Sequence, residues 1–428
     1  MVKKVGVAIL GLGVVGGGTY QTLVEHHDFY LKTQQVDITV EAVLDKAIDR
    51  LMQLGVPQNI IAKNIEEVVA NPNVDIVIET IGGIGVAKDF VSAALREGKT
   101  VVTSNKEMIC KYSHELEKIA KRNRCGLYYE ASCVGGVPII RTLLDGVQAN
   151  HIQSMMGIVN GTTNYILTKM ANEGADYAEV LKEAQKLGYA EANPTADVDG
   201  FDSMYKLSIL SSLAFHTKVP YTKIFREGIS KISGKDIAYG KELGYTLKLL
   251  AIGKNGDKGI EVRVHPTFIP ASHPLASVND SFNAVYLCGD AVGDVMLYGR
   301  GAGALPTASA VVSDVIYAAT HSEVKYSTFK NNANAERNVK FVSDFASAYY
   351  IRLSVDDKAG VLAKISGIFG KYGISIVEIS QKSREGESSR VPLIIITHNT
   401  TENSVKNAVA SVNASGLGTV ESVIRVEQ

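Results

Sequence analysis

The sequence predicts an α/β protein in three parts, and three observations lead to this prediction. An apolar run at residues 5–10 leads through the glycine-rich turn GLGVVG into a helical pattern. Apolar runs and helical stretches then alternate to about residue 130, which is the order of a doubly wound parallel sheet. Residues 347–428 instead predict the order β-α-β-β-α-β, which is typical of a small ferredoxin-like domain.

Composition argues against several classes of partner. The chain has 428 residues, too many for one ordinary domain, and its 46% hydrophobic and 21% charged residues are typical of a globular protein. The formal net charge of -1 offers no basic excess to neutralise nucleic-acid phosphates or to bind a membrane surface. No apolar run reaches the roughly 18 residues that span a bilayer. The four cysteines are Cys110, Cys125, Cys133 and Cys288. They form no C-x-x-C pair, so we expect a reducing, cytoplasmic setting.

The glycine-rich turn predicts a dinucleotide site. Gly11, Gly13 and Gly16 occupy the pattern G-x-G-x-x-G between the first strand and a helix expected at 15–26. Glycine is needed there because the turn is tight, the backbone approaches a pyrophosphate, and the helix packs closely on the strand. The N-terminus of that helix presents unpaired N–H groups to the phosphates. The motif is weak alone, but the alternation of strands and helices around it favours a Rossmann domain.

Two charged positions follow later strands of this domain. Asp45 ends the second strand, where a carboxylate would bind the ribose hydroxyls of NAD, whereas Lys46 could accept a 2′-phosphate, so NAD and NADP both stay open. A plain surface acid is the alternative for Asp45. Lys106 follows the strand 100–103 at the carboxyl edge of the sheet, where ligands bind. Because cations are disfavoured at helix N-termini, Lys106 is either an exposed lysine or has an anionic neighbour.

A dense group of acids precedes one lysine in the stretch YAEANPTADVDGFDSMYKLSIL. Asp202 and Lys206 lie four residues apart, on one face of a helix that starts at Phe201. A surface ion pair is the simple interpretation. However, residues 207–215 carry no charge, so the helix should be largely buried and Lys206 should have an oxygen partner. A partly buried lysine among carboxylates is a candidate proton carrier, and the acids suit an ammonium-bearing substrate.

Five strings, in this order, closely resemble homoserine dehydrogenases: GLGVVG, SNKE, GGVPIIRTL, GIVNGTTNYILTKM and LGYAEANPTADVDGFDSMYKL. The last two are much more specific than the glycine motif, and the resemblance covers nearly the whole chain. It implies NAD(P)-dependent interconversion of L-aspartate 4-semialdehyde and L-homoserine, in the biosynthesis of threonine, methionine and isoleucine. It also implies that Lys206 transfers the proton, that Asp202 is its hydrogen-bonding acid and that Glu191 binds the substrate.

The resemblance extends to further residues. Lys106 matches a lysine between cofactor and substrate, and Asp197 matches another acid of the substrate pocket. The string EASCVGGV is similar to the segment where relatives hold a monovalent cation, sodium or potassium. The implied ligands are the Glu130 side chain and the carbonyl oxygens of Cys133, Gly135 and Val137. One departure is Asn193, where the family pattern EADPT has an aspartate, and we expect this difference to alter the loop slightly.

We expect several separate segments of the chain to contact the nucleotide. Residues 298–318 contain a glycine turn before a helix, and the resemblance implies that they return to the nucleotide domain. A purely structural loop is the alternative for this segment. The expected nucleotide contacts are Gly11, Gly13, Val14, Val15, Gly16, Asp45, Thr80, Ser104, Lys106 and Gly303.

The C-terminal part resembles ACT domains, which commonly bind amino acids at the first strand-to-helix turn and usually work in pairs. The turn DDKAGVLAKI places Asp357 and Gly360 there, so the resemblance implies an amino-acid effector. We expect this effector to be L-threonine, the end product of the pathway. A dimerisation module without a ligand is the alternative. The whole chain is expected to form a homodimer or a homotetramer.

Two other functions stay open on sequence grounds. Cys133 could be a thiol nucleophile, as in semialdehyde dehydrogenases that form a thioester, although no histidine lies within seventeen residues of it. A nucleotide-binding sensor without turnover is the second alternative, but it would need neither Lys206 nor the acids around it.

Together these patterns predict a division of the chain into functional domains. The predicted parts are an NAD(P)-binding Rossmann domain at 1–132 with 306–325 returning to it, an α+β substrate and dimerisation domain at 133–305, a linker at 326–346, and a regulatory ACT domain at 347–428.

Overall fold

The computed structural model describes residues 2–321, 339–382 and 390–427 of the chain. Residues 326–338 of the predicted linker, and residues 322–325 of the segment expected to return to the nucleotide domain, lie outside the described residues. The chain divides into two compact units. The first comprises Met1–Gly161, Asp202–Ile224 and Phe282–Val339, and the second comprises Thr162–Phe201, Phe225–Ser281 and Lys340–Gln428. No helix of the described ranges is long and apolar enough to cross a membrane.

The secondary structure alternates as the sequence patterns predict. The strands are β1 (Lys3–Leu10), β2 (Val36–Leu44), β3 (Ile76–Glu79), β4 (Thr100–Thr103), β5 (Leu127–Tyr128), β6 (Ile152–Ile158), β7 (Phe225–Arg226), β8 (Tyr245–Gly256), β9 (Gly259–Pro270), β10 (Phe282–Gly289), β11 (Gly293–Arg300), β12 (Ala346–Asp356), β13 (Ile376–Gln381), β14 (Arg390–Thr397), β15 (Thr400–Thr401) and β16 (Gly418–Val426). The helices are α1 (Val14–Glu25), α2 (His27–Gln34), α3 (Ile48–Gln53), α4 (Ile65–Ala70), α5 (Gly85–Arg96), α6 (Lys106–Arg122), α7 (Ile139–Arg141), α8 (Gly161–Glu173), α9 (Tyr177–Lys186), α10 (Thr195–Val198), α11 (Phe201–Ala214), α12 (Gly234–Glu242), α13 (Ala304–Thr320), α14 (Val361–Lys371) and α15 (Glu402–Ser415).

The first unit contains a parallel sheet in the order β2-β1-β3-β4-β5. Val7 and Ile9 of the inner strand β1 are fully buried, because β1 pairs with β2 on one edge and with β3 on the other. Val311 and Val315 of α13 enter the same apolar core. This arrangement confirms the doubly wound nucleotide-binding fold. The first unit also contains an antiparallel group in which β10 pairs with β6 and β11.

In the second unit the strands follow the order β8-β9-β16-β12-β14-β13, with β7 on β9 and β15 on β12. The C-terminal residues run β12-α14-β13-β14-α15-β16, which confirms the ferredoxin-like fold. Its core contains apolar side chains of both helices, such as Phe369 and Val412, packed against Tyr349 and Leu353 of β12. Because β16 pairs with β9, the sheet of this small domain continues into the β8–β9 hairpin.

Two local predictions were wrong. The pattern of residues 126–131, GLYYEA, predicts a strand, but β5 ends at Tyr128 and the chain turns into a short 3-10 helix, Glu130–Ser132. The string NGTTNYIL predicts a helix capped by Thr162 or Thr163, but α8 begins at Gly161, so both threonines lie in its first turn. Thr162 instead donates its hydroxyl to the Tyr189 carbonyl at 2.6 Å. A tertiary partner replaces the expected cap.

Candidate active site

The glycine-rich turn between β1 and α1 is shaped by close backbone contacts. Gly11 has a φ of +88°, which side chains rarely adopt, and the Thr80 hydroxyl donates to its carbonyl at 2.7 Å. A Cβ atom on Gly16 would lie 1.9 Å from the Gly11 oxygen, so only glycine fits there. The Cβ position of Gly13, by contrast, has no atom within 4 Å. Helix α1 begins at the next residue, Val14, so its first N–H groups lie beside this open position.

Asp45 organises the same turn from the end of β2. Its carboxylate accepts hydrogen bonds from the Leu12 N–H and, at 2.7 Å, from the Ala47 N–H. Arg50, which the sequence does not reveal, donates from Nε to the Leu12 carbonyl at 3.1 Å. Asp45 is therefore part of the turn and not a plain surface acid. The one sequence signal for Arg50 is its place shortly after Lys46, in the helix that follows the second strand.

A buried acid at the end of β3 is a second residue that the sequence does not reveal. The carboxylate of Glu79 accepts hydrogen bonds from the Ile81 N–H at 2.8 Å, the Gly82 N–H at 3.0 Å and the Thr103 hydroxyl at 2.5 Å. Burial raises the pKa of Glu79. These hydrogen bonds hold the turn after β3 against the end of β4. The Glu79 carboxyl group thus stabilises the edge of the sheet where ligands are expected.

Asp202, at the start of α11, lies between two lysines. Lys206 Nζ is 2.7 Å from Asp202 Oδ2, and Lys106 Nζ is 3.0 Å from Asp202 Oδ1. Lys206 also donates to the Val159 carbonyl at 2.7 Å, and Asn160 Nδ2 donates to Asp202 Oδ2 at 2.9 Å. The structure therefore brings together Lys106, Asp202 and Lys206 of the predicted site residues. It adds Asn160, from the NGTTN string, as a further partner of the carboxylate.

Burial separates this group from an ordinary surface ion pair. Asp202 is 5% exposed and Lys206 is 9% exposed, because the helix that carries them is apolar beyond Lys206. Burial by itself would raise the pKa of Asp202, but the charges of Lys106 and Lys206 hold that pKa well below its ordinary value. Asp202 is therefore ionised at neutral pH and shared by two cations. The surface interpretation is wrong, and Lys106 has the anionic neighbour that its position predicts.

The acidic loop, residues 189–201, lies in the second unit. It starts after Gly188, whose φ of +79° turns the chain away from the direction of α9. Gln185, near the end of that helix, donates from Nε2 to the Glu191 carbonyl at 3.0 Å. The Glu191 side chain is exposed, and Asp197 is half-buried in the short helix α10. Two of the three predicted substrate acids, Glu191 and Asp197, are thus carried by one loop.

Asn193 is the position that departs from the family pattern. Its side-chain oxygen accepts hydrogen bonds from the Thr195 N–H at 3.3 Å and from the Thr195 hydroxyl at 2.7 Å. An aspartate could accept the same two hydrogen bonds, so the asparagine keeps the turn into α10.

The predicted cation segment contains a second buried group of charges. Glu130 is 4% exposed, and its carboxylate oxygens accept the N–H groups of Ile140 at 2.9 Å and Arg141 at 2.6 Å. The Glu130 N–H donates to Asp314 at 2.8 Å, and the Arg141 guanidinium pairs with Asp314 at 2.8 Å. Burial and the Asp314 charge raise the pKa of Glu130 to about 7, and burial raises that of Asp314 to about 6. Arg141 therefore contacts both buried acids, Glu130 through its backbone N–H and Asp314 through its guanidinium.

The other predicted cation ligands would supply main-chain oxygens. Gly135 has a φ of +53°, and a Cβ atom there would lie 2.4 Å from the Gly301 oxygen, so the chain is tightly packed at this turn. The Val137 carbonyl accepts the Ile139 N–H at 2.8 Å. Within the part of the chain that the structure describes, no group of three His, Cys, Asp or Glu residues could hold a metal ion.

The thiol of Cys133 does not suit a nucleophile. Cys133 is fully buried, and burial raises its pKa to about 12. The thiolate is the reactive form of cysteine, and a buried, protonated thiol is inert. The structure therefore argues against the thioester alternative.

The predicted effector residues lie at the first turn of the C-terminal domain. Gly360 has a φ of +87° and immediately precedes α14. Asp357 Oδ1 accepts a hydrogen bond from Gln381 Nε2 at 3.3 Å, which ties the turn to β13. Lys358 lies 3.1 Å from Asp356 and lowers the pKa of that carboxyl group.

Comparison with known sequences identifies the family. A homoserine dehydrogenase of Bacillus subtilis is 41% identical to this chain over 429 residues, covering 99% of each protein. The chain belongs to the homoserine dehydrogenase family. A homoserine dehydrogenase of Neisseria gonorrhoeae is 40% identical over 418 residues, covering 96% of each. The resemblance noted in the sequence is thereby confirmed, and with it an NAD(P)-dependent oxidoreductase that acts on a CH–OH group.

Family descriptions match three consecutive parts of this homoserine dehydrogenase. The NAD-binding domain of homoserine dehydrogenases matches residues 11–130, the homoserine dehydrogenase family itself matches 138–316, and the ACT domain matches 349–416. The first two matches cover the glycine-rich turn, Lys106, Asp202 and Lys206. The third covers both predicted effector residues.

Solved structures agree with the fold. The crystal structure of a homoserine dehydrogenase from Thiobacillus denitrificans is similar with a TM-score of 0.92 and 38% identity, covering 100% of this chain and 99% of that one. A hyperthermophilic archaeal homoserine dehydrogenase in complex with NADPH is similar with a TM-score of 0.64 and 27% identity, covering 75% of this chain and 100% of that one.

Proposed function

We propose that Lys206 carries the proton when this homoserine dehydrogenase interconverts L-aspartate 4-semialdehyde and L-homoserine. When bound, the nicotinamide supplies the hydride for the aldehyde carbon. Lys206 donates a proton to the carbonyl oxygen as the alcohol forms, and it accepts that proton again when homoserine is oxidised. The observation that carries this proposal is a buried ammonium group with two fixed acceptors, Asp202 and the Val159 carbonyl. An ammonium has three N–H bonds, so the third can reach a substrate oxygen.

Asp202 and Lys106 support this proton transfer. Asp202 orients Lys206, because the two groups lie 2.7 Å apart in a buried setting. Lys106, which lies at the carboxyl edge of the parallel sheet, polarises or positions the reacting oxygen. Its side chain is 42% exposed, so a ligand can approach it.

Substrate binding is assigned to the acidic loop. Glu191 binds the amino group of the substrate, and Asp197 and Asp202 contribute further negative charge. Carboxylates suit this role because a charge-assisted hydrogen bond from an ammonium group is stronger than a neutral one. The exposure of Glu191 and the partial exposure of Asp197 support the assignment.

The nucleotide is assigned to the glycine-rich turn and the edge of the parallel sheet. Asp45 favours free ribose hydroxyls, whereas Lys46 and Arg50 could accept a 2′-phosphate, so the chain is proposed to use NAD(P). The archaeal relative in complex with NADPH supports this choice. The residues assigned to nucleotide contacts are Gly11, Gly13, Val14, Val15, Gly16, Asp45, Thr80, Ser104, Lys106 and Gly303.

A sodium or potassium ion is assigned to the segment around Glu130. Glu130 and Asp314 are both buried acids, and a monovalent cation would add a second positive charge to that of Arg141. Oxygen atoms are the ligands that such hard cations prefer. The proposed ligands are the Glu130 carboxylate and the carbonyl oxygens of Cys133, Gly135 and Val137.

The C-terminal ACT domain is proposed to regulate the enzyme by binding L-threonine near Asp357 and Gly360, in a pathway to threonine, methionine and isoleucine. Millimolar L-threonine is expected to lower the initial rate of homoserine oxidation, because an end product can report the supply of its own pathway. The measurement is the rate with and without threonine, with L-alanine as the control amino acid. An unchanged rate would reject threonine as the effector.

The functional division of the chain is proposed as 1–132 with 306–325 for the nucleotide, 133–305 for substrate and subunit pairing, a linker at 326–346, and 347–428 for regulation. ACT domains usually work in pairs, which supports a homodimer or homotetramer. All four cysteines are free thiols, which supports a reducing, cytoplasmic location.

Lys206→Ala tests the central proposal. We expect kcat for homoserine-dependent reduction of NAD(P) to fall by about 100-fold or more, because general acid and base catalysis contributes that much. The dissociation constant of the reduced nucleotide, measured by nicotinamide fluorescence, should stay within about twofold. Lys223→Ala is the matched control, since Lys223 is an exposed lysine of the same unit. Near-normal turnover by Lys206→Ala would remove Lys206 from the chemistry.

A further inference from the structure

Residues 225–229, named here the link segment, lie in line with the last strand of the C-terminal domain. The segment starts with β7, which pairs with β9 at Arg263 and Val264. Strand β16 pairs with the same strand at Thr267 and Phe268. Because β8 occupies the other edge of β9 along its whole length, β7 and β16 lie end to end on one edge. The link segment and the C-terminal domain therefore both pair with β9.

Side chains of the C-terminal domain hold the start of the link segment. Arg425 of β16 forms an ion pair with Glu227, and its guanidinium carbon lies 4.8 Å from the centre of the Phe225 ring. The same guanidinium pairs with the buried Glu402 of α15 at 2.6 Å. Phe345, next to the start of β12, packs against Phe225 with 5.4 Å between ring centres. Because Arg425 and Glu402 are buried, loss of either partner would be strongly unfavourable.

Other groups of the link segment hold the acidic loop. The Arg226 guanidinium donates to the Asp199 carbonyl, and its central carbon lies 3.5 Å from the centre of the Phe201 ring. The Ile229 N–H donates to the Val198 carbonyl at 2.8 Å. A planar guanidinium can make the hydrogen bond and the stacking contact at once.

Glycines allow the two backbones to approach this closely. A Cβ atom on Gly228 would lie 2.3 Å from the Val198 oxygen and 2.6 Å from the Asp199 Cα. Gly200, with a φ of +80°, would place a Cβ atom 3.2 Å from Val264 and 3.5 Å from Arg226 Cγ. The contact between the link segment and the acidic loop is therefore built into the backbone as well as the side chains.

We propose that the link segment couples the C-terminal domain to the acidic loop, with Arg226 as the positioning residue that fixes this loop for substrate binding. Asp199 follows the substrate acid Asp197 by two residues, and Phe201 immediately precedes Asp202 in the chain. A change in the C-terminal domain that moves Arg425 would thus move the link segment, which contacts the acidic loop. The inference rests on the homoserine dehydrogenase activity and concerns how the loop is held for it.

Arg226→Met tests the positioning role. The methionine keeps an unbranched stem beside Gly200 but removes the hydrogen bond to Asp199 and the charge above Phe201. We expect the KM for L-homoserine to rise by about tenfold, with kcat within about threefold and the KM for the nucleotide unchanged. Arg226→Lys, which keeps the charge and a donor but not the planar face, should raise the KM for homoserine by about threefold. Lys223→Met is the matched control and should leave all three constants unchanged.

A double variant tests the coupling. Glu227→Gln removes the negative charge of the link segment that pairs with Arg425. The ion pair between Arg425 and Glu402 stays in place. We expect it to raise the KM for L-homoserine by about threefold. If the effect passes through the link segment, Arg226→Met combined with Glu227→Gln should raise this KM by about tenfold, as Arg226→Met does alone. A multiplicative rise of about thirtyfold would overturn the coupling.

The KM for homoserine of the Arg226 variants decides the positioning role. An unchanged KM for homoserine in folded Arg226→Met would overturn the positioning role. If circular dichroism shows that Arg226→Met does not fold, Arg226→Lys decides instead, with an unchanged KM against the proposal and a selective rise in its favour. A wild-type protein without homoserine-dependent turnover would contradict the homoserine dehydrogenase activity, which separates that failure from a failure of the coupling.

Discussion

Asp202 shows how one residue can organise the charges of a buried site. It binds Lys206 from its own helix and Lys106 from the start of α6, and Asn160 adds a hydrogen bond. The negative charge of Asp202 offsets the repulsion between the two ammonium groups, so this repulsion would be unbalanced if the carboxylate lost its charge. The residue therefore matters for the stability of the first unit as well as for the proposed orientation of Lys206.

Asp202→Asn is expected to lower the free energy of unfolding by about 3 kcal/mol at neutral pH, because the buried Lys206 and the partly exposed Lys106 lose their anion. The pKa of Asp202 is lowered in the folded protein, so its contribution is present above the ordinary aspartate value of about 4 and is lost as pH falls through the lower folded value. Urea unfolding at several pH values measures this.

The difference in unfolding free energy between wild type and Asp202→Asn should therefore shrink as pH falls below about 4. Asp89→Asn, at an exposed position of α5, is the control and should match the wild type throughout. A difference that stays constant into acid would contradict the role given to the carboxylate charge.

At the scale of elements, the turn between β1 and α1 is shaped by two different demands on glycine. Gly16 is required by the protein itself, since any side chain there would collide with the Gly11 carbonyl. Gly13 meets no protein atom at the position of its missing Cβ, although its ψ of -156° lies just outside the ordinary extended region. No collision within the protein requires this glycine, whereas the close approach of the proposed pyrophosphate does.

Gly16→Ala and Gly13→Ala should separate these two demands. Gly16→Ala is expected to lower the free energy of unfolding by about 2 kcal/mol, because of the backbone collision, and to weaken nucleotide binding. Gly13→Ala should lower the unfolding free energy of the free protein by less than about 1 kcal/mol and weaken nucleotide binding. Denaturant unfolding and nicotinamide fluorescence measure the two properties. Equal loss of stability in both variants would show that Gly13 is also needed by the fold.

For the whole molecule, the main result is that the C-terminal domain is built into the second unit. Besides the pairing of β16 with β9, Arg263 of β9 forms a buried ion pair with Glu427, and Arg352 of β12 pairs with Asp236 of α12 at 2.7 Å. Buried ion pairs are costly to separate one partner at a time. The domain is therefore more than a module attached by a linker.

Truncation after residue 339 tests this view. The shortened chain would leave Arg263 without Glu427 and would expose one edge of β9, so we expect the midpoint of thermal unfolding to fall by about 10 °C or more. Glu427→Gln in the full chain should shift the midpoint in the same direction by a smaller amount. Circular dichroism during heating measures both. A truncated protein as stable as the full chain would show that the domain is separable.

Sequence reasoning worked where the information is local. The glycine pattern, the alternation of strands and helices, and the spacing of Asp202 and Lys206 all depend on residues close together in the chain, and their structural consequences are confirmed. It was wrong where a distant partner replaced a local one, as when Thr162 bonded the acidic loop and did not cap α8. A local rule describes what a segment does when nothing else competes for its hydrogen bonds.

The sequence by itself determined the fold class, the family and the buried ion pair on α11, because periodicity and short motifs carry that information. Only the tertiary structure decided that Lys106 shares Asp202, that Glu130 meets Asp314 across 184 residues, and that Arg226 donates to the Asp199 carbonyl of the acidic loop. The physical reason is that each of these contacts is made by chain segments that folding brings together from far apart. No local pattern encodes which of many equivalent lysines, acids and arginines will meet.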